Sequence, residues 1–490
     1  MQRIPTPMTS GILLLGLGPG SPDLLTRQAW QTLQEAKEIY LRTCQHPTVA
    51  GFPPGLQVHS FDALYQNSQT FEEVYETIIQ EVLCLGARPQ GVIYAVPGHP
   101  FVAEATCPEI ARRARAQGLP VQVIEGLSFL EPTFTALGVD PLPHTALVDA
   151  LLLSAAHAPA FPPDAPALIA QIHSAGVASD VKLTLMENYP DEHPVMLVHA
   201  AGTPECQVEH LRLYEIDRGP HIGLLTTLYL PPLPTGTSFE AFHNIIAHLR
   251  APDGCPWDRK QTHQSLRPYL LEETYETLDA LDAENPQAIC EELGDLLLQI
   301  VLHAQVANEA GDFNMPAILQ HIHDKIVRRH PHVFGDVEVD GVGRVLENWE
   351  RIKAAERHAN GQAEKSLLDG VARSLPALSQ AQEYQSRASH TGFEWPSRAD
   401  FLAKVSEECA EIVSAPDAEA RAREMGDLFL ALANLARHLE IDAESALRQA
   451  NARFRQRFAY IEGQARQQGK SIADFSLDEM LAFWQAAKKD

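Results

Sequence analysis

The sequence predicts a multidomain protein with an N-terminal α/β half and an all-α C-terminal half. Up to about residue 235, short β-type runs alternate with helical patterns and Gly/Pro turns, as in GILLLGLGPG (11–20) and GVIYAVPGHP (91–100); this order of elements is typical of α/β layers. Beyond the Pro-rich stretch YLPPLPTGTS (229–238), β-type runs nearly vanish and long amphipathic helical patterns follow. At 490 residues the chain is too long for one core, and about three domains are expected.

Charge and cysteine content argue against several kinds of partner and against a disulfide-stabilised fold. The net charge is -26, with 64 acidic against 38 basic residues, which argues against nucleic acid or an anionic membrane surface as the main partner. The 7 cysteines are odd in number and form no C-x-x-C pair, so a disulfide framework is not expected. We find no leader peptide in MQRIPTPMTS and no apolar run of about 18 residues. The sequence therefore predicts a cytoplasmic protein.

The helical half contains an internal duplication. Glu292 and Asp295 recur 132 positions later as Glu424 and Asp427, and Glu273 and Glu276 recur 135 positions later as Glu408 and Glu411. A period of this length is too long for a solenoid repeat and indicates a duplicated domain. We therefore predict domains at 10–232, 233–358 and 359–490, with the polar stretch ERHANGQAEKS (356–366) between the two copies.

Each copy has acidic residues on two consecutive predicted helices. The first copy has Glu272, Glu273 and Glu276 in LLEETYETL and Glu291, Glu292 and Asp295 in EELGD, and the second has Glu407, Glu408 and Glu411 in SEECAEIV and Glu424 and Asp427 in REMGD. A spacing of i, i+3 places two carboxylates on one helix face. Antiparallel helices would point the two acidic pairs of one copy at each other.

Converging carboxylates repel each other unless a hard cation neutralises them, and an all-oxygen ligand set suits Mg2+ or Mn2+. A di-iron bundle would need Glu-x-x-His, which neither copy has. A solvated charged face explains most single acidic pairs, but the recurrence beside Gly294 and Gly426 favours a metal site. These glycines are expected either to allow close helix approach or to leave room for a phosphate.

Local signals define the helices that carry these acids. Leu271, Tyr275 and Leu278 predict an apolar core stripe on the first acidic helix. Asn285 and Pro286 predict the N-cap and first residue of the next helix.

Basic and aromatic residues follow each acidic set. They are Lys325, Arg329, Trp349 and Lys353 in the first copy, and Arg453, Arg457, Trp484 and Lys488 in the second. Cations beside a metal cluster suit a polyphosphate, and an indole suits stacking on a base. A pair of cations at i, i+4 is usually only a solvated face, so the argument depends on the recurrence in both copies.

The stretches CPWDRKQTHQSLRPYLLEETYE (255–276), EELGDLLLQIVLHA and KIVRRHPHVFGD resemble MazG nucleoside triphosphate pyrophosphohydrolases, and the resemblance extends over 236–490. It implies that a water molecule attacks an NTP to give NMP and pyrophosphate, and that the protein is an all-α homodimer. It also implies Mg2+ ligands at Glu273, Glu276, Glu292, Asp295, Glu408, Glu411, Glu424 and Asp427, with the basic residues and tryptophans named above contacting the nucleotide. Glu272 and Glu407 are our candidate proton acceptors. The second copy departs from the pattern at Arg423 and Arg453.

The N-terminal half places Gly16, Gly18 and Gly20 between a strand and a helix. Their G-x-G-x-G spacing does not fit the dinucleotide fingerprint. With YAVPGHPFVAEAT (94–106) and VIEGLSFLEPTFTALGVDPL (123–142), this half resembles tetrapyrrole (corrin/porphyrin) methylases, in the arrangement of YabN-like proteins, which fuse such a domain to MazG. The resemblance implies two α/β subdomains with S-adenosylmethionine between them, in a cleft lined by the glycine loop and by Pro97, Gly98 and His99. The chain departs from the family pattern at Ser21, where Asp is common, and in the Val96–Pro100 segment, where G-D-P is common.

Several functions remain open. The principal hypothesis is a Mg2+-dependent NTP pyrophosphohydrolase. The alternative is an S-adenosylmethionine-dependent methyltransferase of a small, tetrapyrrole-like substrate whose helical half serves for dimerisation. The N-terminal half could equally bind a ligand or regulate, and a scaffold with degenerate sites is disfavoured because neither copy lacks a proposed ligand.

Overall fold

The computed structural model describes residues 10–67, 70–359 and 366–488. The chain forms two compact units, Met1–Arg259 and Lys260–Asp490. The first nine residues, in which no leader peptide was expected, and residues 360–365 of the polar stretch lie outside the described residues.

The first unit alternates strands with helices. Its strands are β1 (Ile12–Gly16), β2 (Glu38–Leu41), β3 (Gln57–Ser60), β4 (Val92–Val96), β5 (Val121–Ile124), β6 (Ala146–Asp149), β7 (Ala167–Ala170), β8 (Pro194–His199), β9 (Gln207–Arg212) and β10 (Thr226–Leu230). Its helices are α1 (Arg27–Glu35), α2 (Asp62–Asn67), α3 (Phe71–Gly86), α4 (Thr106–Ala116), α5 (Leu130–Leu137), α6 (Ala150–Ser154), α7 (Ala175–Leu185) and α8 (Phe239–Arg250).

The first sheet has the order β3-β2-β4-β1-β5, and all of its strand pairs are parallel. Its central strand β1 (ILLLG) is buried along its whole length. Such a strand must be apolar on both faces because helices cover both sides of a parallel sheet. Ile12 and Leu14 belong to the core that includes α3 and α4, whereas Leu13 and Leu15 belong to the core that includes α1.

The second sheet has the order β6-β7-β10-β8-β9 and is mixed, since only β6 and β7 pair in parallel. Its core includes Ile169, Leu197 and Leu228 from the strands and Val181 and Leu185 from α7. Two sheets, each with its own core, confirm the prediction of two α/β subdomains.

The second unit is helical, and no strand occurs in 260–359 or 366–488. Its helices are α9 (His263–Asp282), α10 (Pro286–Ala310), α11 (Met315–Arg329), α12 (Pro331–Phe334), α13 (Val342–Ala359), α14 (Ala377–Ser389), α15 (Arg398–Ser414), α16 (Ala418–His438), α17 (Ala443–Gln467) and α18 (Leu477–Ala486). In the first copy α9 packs against α10, and in the second copy α15 packs against α16. The predicted change from an α/β half to an all-α half is confirmed.

The start of α10 is also confirmed. Asn285 is the N-cap, and its side chain accepts hydrogen bonds from the backbone N–H groups of Gln287 and Ala288, while Pro286 is the first helical residue. The cap satisfies donors that the first turn of a helix leaves free.

The predicted core stripe on α9 is wrong. Leu271 is 58% exposed, and Tyr275 and Leu278 are exposed as well, whereas the buried side chains of α9 are Leu266, Thr277 and Ala280. The two small residues allow α10 to approach closely on one face. The apolar stripe lies on another face, which the described residues leave partly exposed.

An ion pair between α17 and α9 joins the two copies. Arg448 of α17 donates from Nη2 to Oδ2 of Asp282 at the end of α9, at 2.5 Å, and its Nη1 lies 3.8 Å from Oδ1 of Asp279. The helix that carries the first acidic pair is therefore held by a helix of the second copy.

Candidate functional site

The helix pair α9/α10 brings three predicted ligands together. Glu273 and Glu276 lie one turn apart on α9 and face Glu292 of α10, and one carboxylate oxygen from each lies within 4.8 Å of the others. We call these three residues the first acidic cluster. Asp295 is not part of this close set, but its charge acts on both Glu273 and Glu292.

The first acidic cluster is electrostatically unfavourable as it stands. Partial burial, followed by the charges of Asp295 and Glu276, raises the pKa of Glu273. Partial burial and the charges of Glu276 and Asp295 likewise raise the pKa of Glu292. A raised carboxyl pKa means that the site disfavours its own ionised form. A cation placed among these oxygens would reverse that preference.

Two neutral side chains support the first acidic cluster. The Thr277 hydroxyl donates to the backbone carbonyl oxygen of Glu273 (2.7 Å) and lies 3.3 Å from that of Glu292, so it joins the helices at the cluster. Gln299 lies 3.5 Å through its Nε2 from Oε1 of Glu273, and its own Oε1 is buried without a hydrogen-bond partner. Sequence reasoning missed Gln299, although it lies one helical turn beyond Asp295 on α10.

The helix pair α15/α16 brings together Glu408, Glu424 and Asp427, whose carboxylate oxygens lie within 4.8 Å of one another. We call them the second acidic cluster. Glu411 is outside this close set, but partial burial and the charges of Glu408 and Glu424 raise its pKa. Glu408 is only 4% exposed, and its Oε2 is buried without a hydrogen-bond partner.

A lysine contacts the second acidic cluster, whereas no cation of the described residues forms an ion pair with Glu273, Glu276 or Glu292. Lys404 places its Nζ 2.8 Å from Glu408 and 3.1 Å from Glu407. The position 135 residues earlier, where the first copy would have its equivalent, is Tyr269. Sequence reasoning missed Lys404 even though it lies one turn before Glu408. Glu407, a candidate proton acceptor, is therefore ion-paired, whereas Glu272 is exposed beside the first cluster.

The glycines between the acidic residues face open space. A Cβ added to Gly294 or to Gly426 would meet no atom within 4 Å outside the local helix backbone. The expectation of close helix approach at these positions is therefore wrong, and the alternative, room for a ligand, fits the geometry.

The basic and aromatic residues of the first copy lie on α11 and α13. Lys325 and Arg329 are one turn apart on α11 and are both partly buried. On α13, the Nζ of Lys353 lies 3.6 Å from the ring centroid of Trp349. Arg329 is bound by a carboxylate of α13, Glu356.

In the second copy, Arg453 and Arg457 lie on α17, and Trp484 lies on α18 with Lys488 just beyond its end. The guanidinium carbon of Arg457 is 5.4 Å from the ring centroid of Trp484. Arg453 and Lys488 are exposed. In both copies a cation therefore lies over a tryptophan ring, an arrangement that holds the ring and the charge together.

The glycine loop and the Pro97–His99 turn meet in the first unit. Gly18 and Gly98 form an isolated bridge, in which Gly98 N donates to Gly18 O at 2.7 Å. A Cβ on Gly16 would lie 2.5 Å from Gly126 N and 2.8 Å from Gly98 O, so only glycine fits there. His99 accepts a hydrogen bond at Nδ1 from the backbone N–H of Phe101 (3.0 Å).

The glycine loop also reaches the second sheet. The backbone N–H of Ser21 donates to Gly202 O at 2.9 Å, just beyond the end of β8. The Gly16–Gly20 loop and the Pro97–His99 turn therefore lie where the two α/β subdomains meet, at the carboxyl ends of β1 and β4. Ligands commonly bind outside the carboxyl ends of strands in open parallel sheets.

An α/β domain of two subdomains, followed by helices with duplicated carboxylate clusters, defines a class of fused proteins. The family model "MazG nucleotide pyrophosphohydrolase domain" matches residues 261–334, and "Tetrapyrrole (Corrin/Porphyrin) Methylases" matches residues 11–217. The uncharacterized protein YabN of Bacillus subtilis (strain 168) is 42% identical over 491 residues, covering 98% of this chain and 99% of YabN. The chain belongs to the YabN family, in which a tetrapyrrole methylase domain precedes MazG.

Each half also has relatives of its own. The nucleoside triphosphate pyrophosphohydrolase/pyrophosphatase MazG of Thermotoga maritima is 41% identical over 253 residues, which are 52% of this chain and 96% of that protein. The crystal structure of uroporphyrin-III-C-methyltransferase from Thermus thermophilus matches with 24% identity and a TM-score of 0.36, covering 46% of this chain and 93% of that one. Among the described residues, no helix has the length and apolar character required to cross a membrane.

Proposed function

We propose that the helical half is a Mg2+-dependent nucleoside triphosphate pyrophosphohydrolase that converts an NTP and water into NMP and pyrophosphate. The observation that carries the proposal is the pair of acidic clusters, each with three carboxylate oxygens within 4.8 Å on facing helices. Oxygen-only ligand sets suit Mg2+, and Mn2+ is compatible with the same ligands. The MazG match and the relatives named for this activity support the same reaction.

The residues present fit a hard cation. In the first copy, Glu273, Glu276, Glu292 and Asp295 would hold it, and in the second copy Glu408, Glu411, Glu424 and Asp427 would. The raised pKa values of Glu273 and Glu292, which burial and neighbouring acids cause, support this assignment. When bound, Mg2+ supplies a lowered water pKa and neutralises charge on the phosphates.

The chain's other residues have separate roles in the proposal. Glu272, exposed beside the first acidic cluster, accepts the proton released by the attacking water; Glu407 is its counterpart, less available because of Lys404. The cations hold the leaving pyrophosphate, namely Lys325, Arg329, Lys353, Arg453, Arg457 and Lys488. Trp349 and Trp484 stack on the base. Arg423, which replaces an acid of the motif, pairs with Glu419 at 3.0 Å.

Product analysis with a panel of NTPs and Mg2+ tests the proposal. NMP and pyrophosphate are the expected products, and the double variant Glu273→Gln/Glu408→Gln is expected to form neither. Glu383→Gln, which removes the partner of Arg387 on α14 (2.8 Å), is the matched control. Formation of NDP and phosphate would contradict the assigned bond, and the absence of turnover would contradict the proposal as a whole.

A second candidate function concerns the first unit, and the meeting of the Gly16–Gly20 loop with the Pro97–His99 turn favours it. We infer that S-adenosylmethionine binds there and that the unit either methylates a small, tetrapyrrole-like substrate or uses the ligand to regulate. Methyl transfer depends mainly on positioning, so no catalytic base is required. Calorimetry with S-adenosylmethionine tests binding, and methyl transfer to a tetrapyrrole separates the two roles.

Three further features belong to the proposal. The domains are 10–232, 233–358 and 359–490. The protein is a homodimer. Exposed apolar side chains support this, namely the leucines of α9 and, on α10, Leu293, Leu297 and Ile300. It acts in the cytoplasm, which the free state of all 7 cysteines supports.

A further inference from the structure

Glu356 of α13 binds two arginines of α11. Its Oε1 lies 2.7 Å from Nε of Arg328, and its Oε2 lies 2.6 Å from Nη2 and 3.2 Å from Nε of Arg329. The side chains of Glu356 and Arg329 are only 18% and 20% exposed, whereas that of Arg328 is 55% exposed. The partly buried contact is thus the one with Arg329, the arginine of the proposed phosphate-binding pair.

The contact uses only one edge of the Arg329 guanidinium. Nε and Nη2 face the carboxylate, and within the described residues Nη1 takes part in no hydrogen bond. A guanidinium is a planar fork that can bind one oxyanion on each of its two edges. The edge formed by Nη1 and Nη2 is therefore oriented by Glu356 and remains available to a second anion.

Glu356 is suited to this role because it stays ionised. The hydrogen bond from Arg329 outweighs partial burial and, with the bond from Arg328, lowers the pKa of Glu356 to about 2. The carboxylate is therefore charged throughout the neutral range.

The position of Glu356 on α13 links the contact to the rest of the proposed nucleotide site. Trp349, Lys353 and Glu356 are spaced i, i+4, i+7, so they share one face of the helix. Glu356 therefore connects Arg328 and Arg329 of α11 to the face of α13 that carries the Trp349 indole. Restricting a charged side chain before binding reduces the ordering cost that a ligand must overcome.

The second copy lacks this arrangement. Arg457 lies over Trp484, and in the part of the chain that the structure describes no carboxylate forms an ion pair with it. Phe454 packs at 5.1 Å from the same ring. The arginine is thus held by aromatic contacts in one copy and by a carboxylate in the other.

We propose that Glu356 is a positioning residue of the first copy, which holds Arg329 so that its free edge binds the phosphates of the nucleotide. The inference rests on the proposed pyrophosphohydrolase function. It assigns to Glu356 no contact with the substrate. If Glu356 instead competed with the phosphates for Arg329, its removal would lower KM.

The test uses the full chain with Glu408→Gln in the second acidic cluster, so that turnover reports the first copy. Glu356→Gln in this background is expected to raise KM for the NTP about tenfold, because Arg329 loses the charged hydrogen-bond partner that orients it. The kcat and the Mg2+ concentration for half activation are expected to stay nearly unchanged. Glu356→Asp is expected to recover part of the loss. Calorimetric binding of a non-hydrolysable NTP analogue with Mg2+ is measured in parallel, so that the result does not depend on turnover.

Glu383→Gln in the same background is the control for loss of a carboxylate partner elsewhere, and thermal unfolding of each variant checks folding. An unchanged or lowered KM and analogue Kd in Glu356→Gln would overturn the inference, and a lowered value would indicate competition. If the wild-type chain neither turns over NTPs nor binds the analogue, the proposed function fails. If the wild type is active and the Glu356 variants have the same KM and analogue Kd as Glu383→Gln, the inference fails and the proposed function stands.

Discussion

Replacing Glu273 with Gln should stabilise the metal-free protein and weaken its response to Mg2+. Glu273 is the member of the first acidic cluster whose pKa is raised by the largest number of neighbouring acids, after partial burial. Gln keeps the shape of the side chain and the contact with Gln299 while removing the charge. The same substitution therefore relieves repulsion and removes a proposed ligand.

The magnitude follows from the distances. Two unit charges 4.8 Å apart repel by about 1 kcal/mol in water and by about 3 kcal/mol at an effective dielectric constant of about 20. Because the cluster is open to solvent, the lower value applies, and we expect a gain of about 1 kcal/mol. For a unit of this size, that gain corresponds to a rise in Tm of about 2–4 °C.

Differential scanning calorimetry in EDTA and in saturating Mg2+ measures both effects. The wild type should gain stability from Mg2+ through ligand linkage, by about 2.7 kcal/mol at a hundredfold excess over Kd, and the variant should gain clearly less. Glu338→Gln is the control and should behave as wild type, since Glu338 is exposed and its charge is not among those that raise the pKa of Glu273 or Glu292. A variant that is less stable than wild type in EDTA, or equally stabilised by Mg2+, would refute the reasoning.

Three other predictions follow from the same contacts. Because the pKa of Glu273 is raised above 4.5 in the folded state, the folded state binds more protons than the unfolded state just above that value, and the ionised Glu273 destabilises the folded state as pH rises; the Tm advantage of Glu273→Gln should therefore be full above the raised pKa and shrink as pH falls toward 4.5, and an advantage independent of pH would contradict this. Glu408→Gln should give no gain in metal-free Tm, because it breaks the 2.8 Å pair with Lys404; a gain equal to that of Glu273→Gln would show that Lys404 does not neutralise the cluster. Gly16→Ala should cost about 1–3 kcal/mol in denaturant unfolding, since its Cβ would lie 2.5 Å from Gly126 N; Gly118→Ala, with open space around it but a φ of +71°, separates this crowding from backbone strain, and equal losses in the two variants would contradict the crowding argument.

The sequence was enough to predict those features of the fold that depend on interactions between residues close together in the chain. The start of α10 depends on the side chain of Asn285 and the ring of Pro286, both adjacent to the helix they begin. The change from strands to helices follows from hydrophobic periodicity. The grouping of carboxylates on one face of each helix also follows from the helical period, once two neighbouring helices run antiparallel.

Contacts between distant residues were not predictable in this way. The bonds from Arg328 and Arg329 to Glu356 cross 28 and 27 positions, and nothing in either segment indicates the other. Leu271, Tyr275 and Leu278 were predicted to form a core stripe and are exposed, because periodicity identifies an apolar face but does not say what packs against it. Lys404 is an exception, because it lies one turn before Glu408 and the helical period alone places the two on one face.

The ion pair between Arg448 and Asp282 couples the two copies of the duplicated helical domain. Separating the copies would leave Asp279 and Asp282 without their cation, and it would expose an arginine whose Nε and Nη1 are buried without hydrogen bonds in the intact chain. A substitution that shifts α9 is thus felt at α17, the helix that carries Arg453 and Arg457. Changes in α9 of one copy are therefore expected to affect α17 of the other.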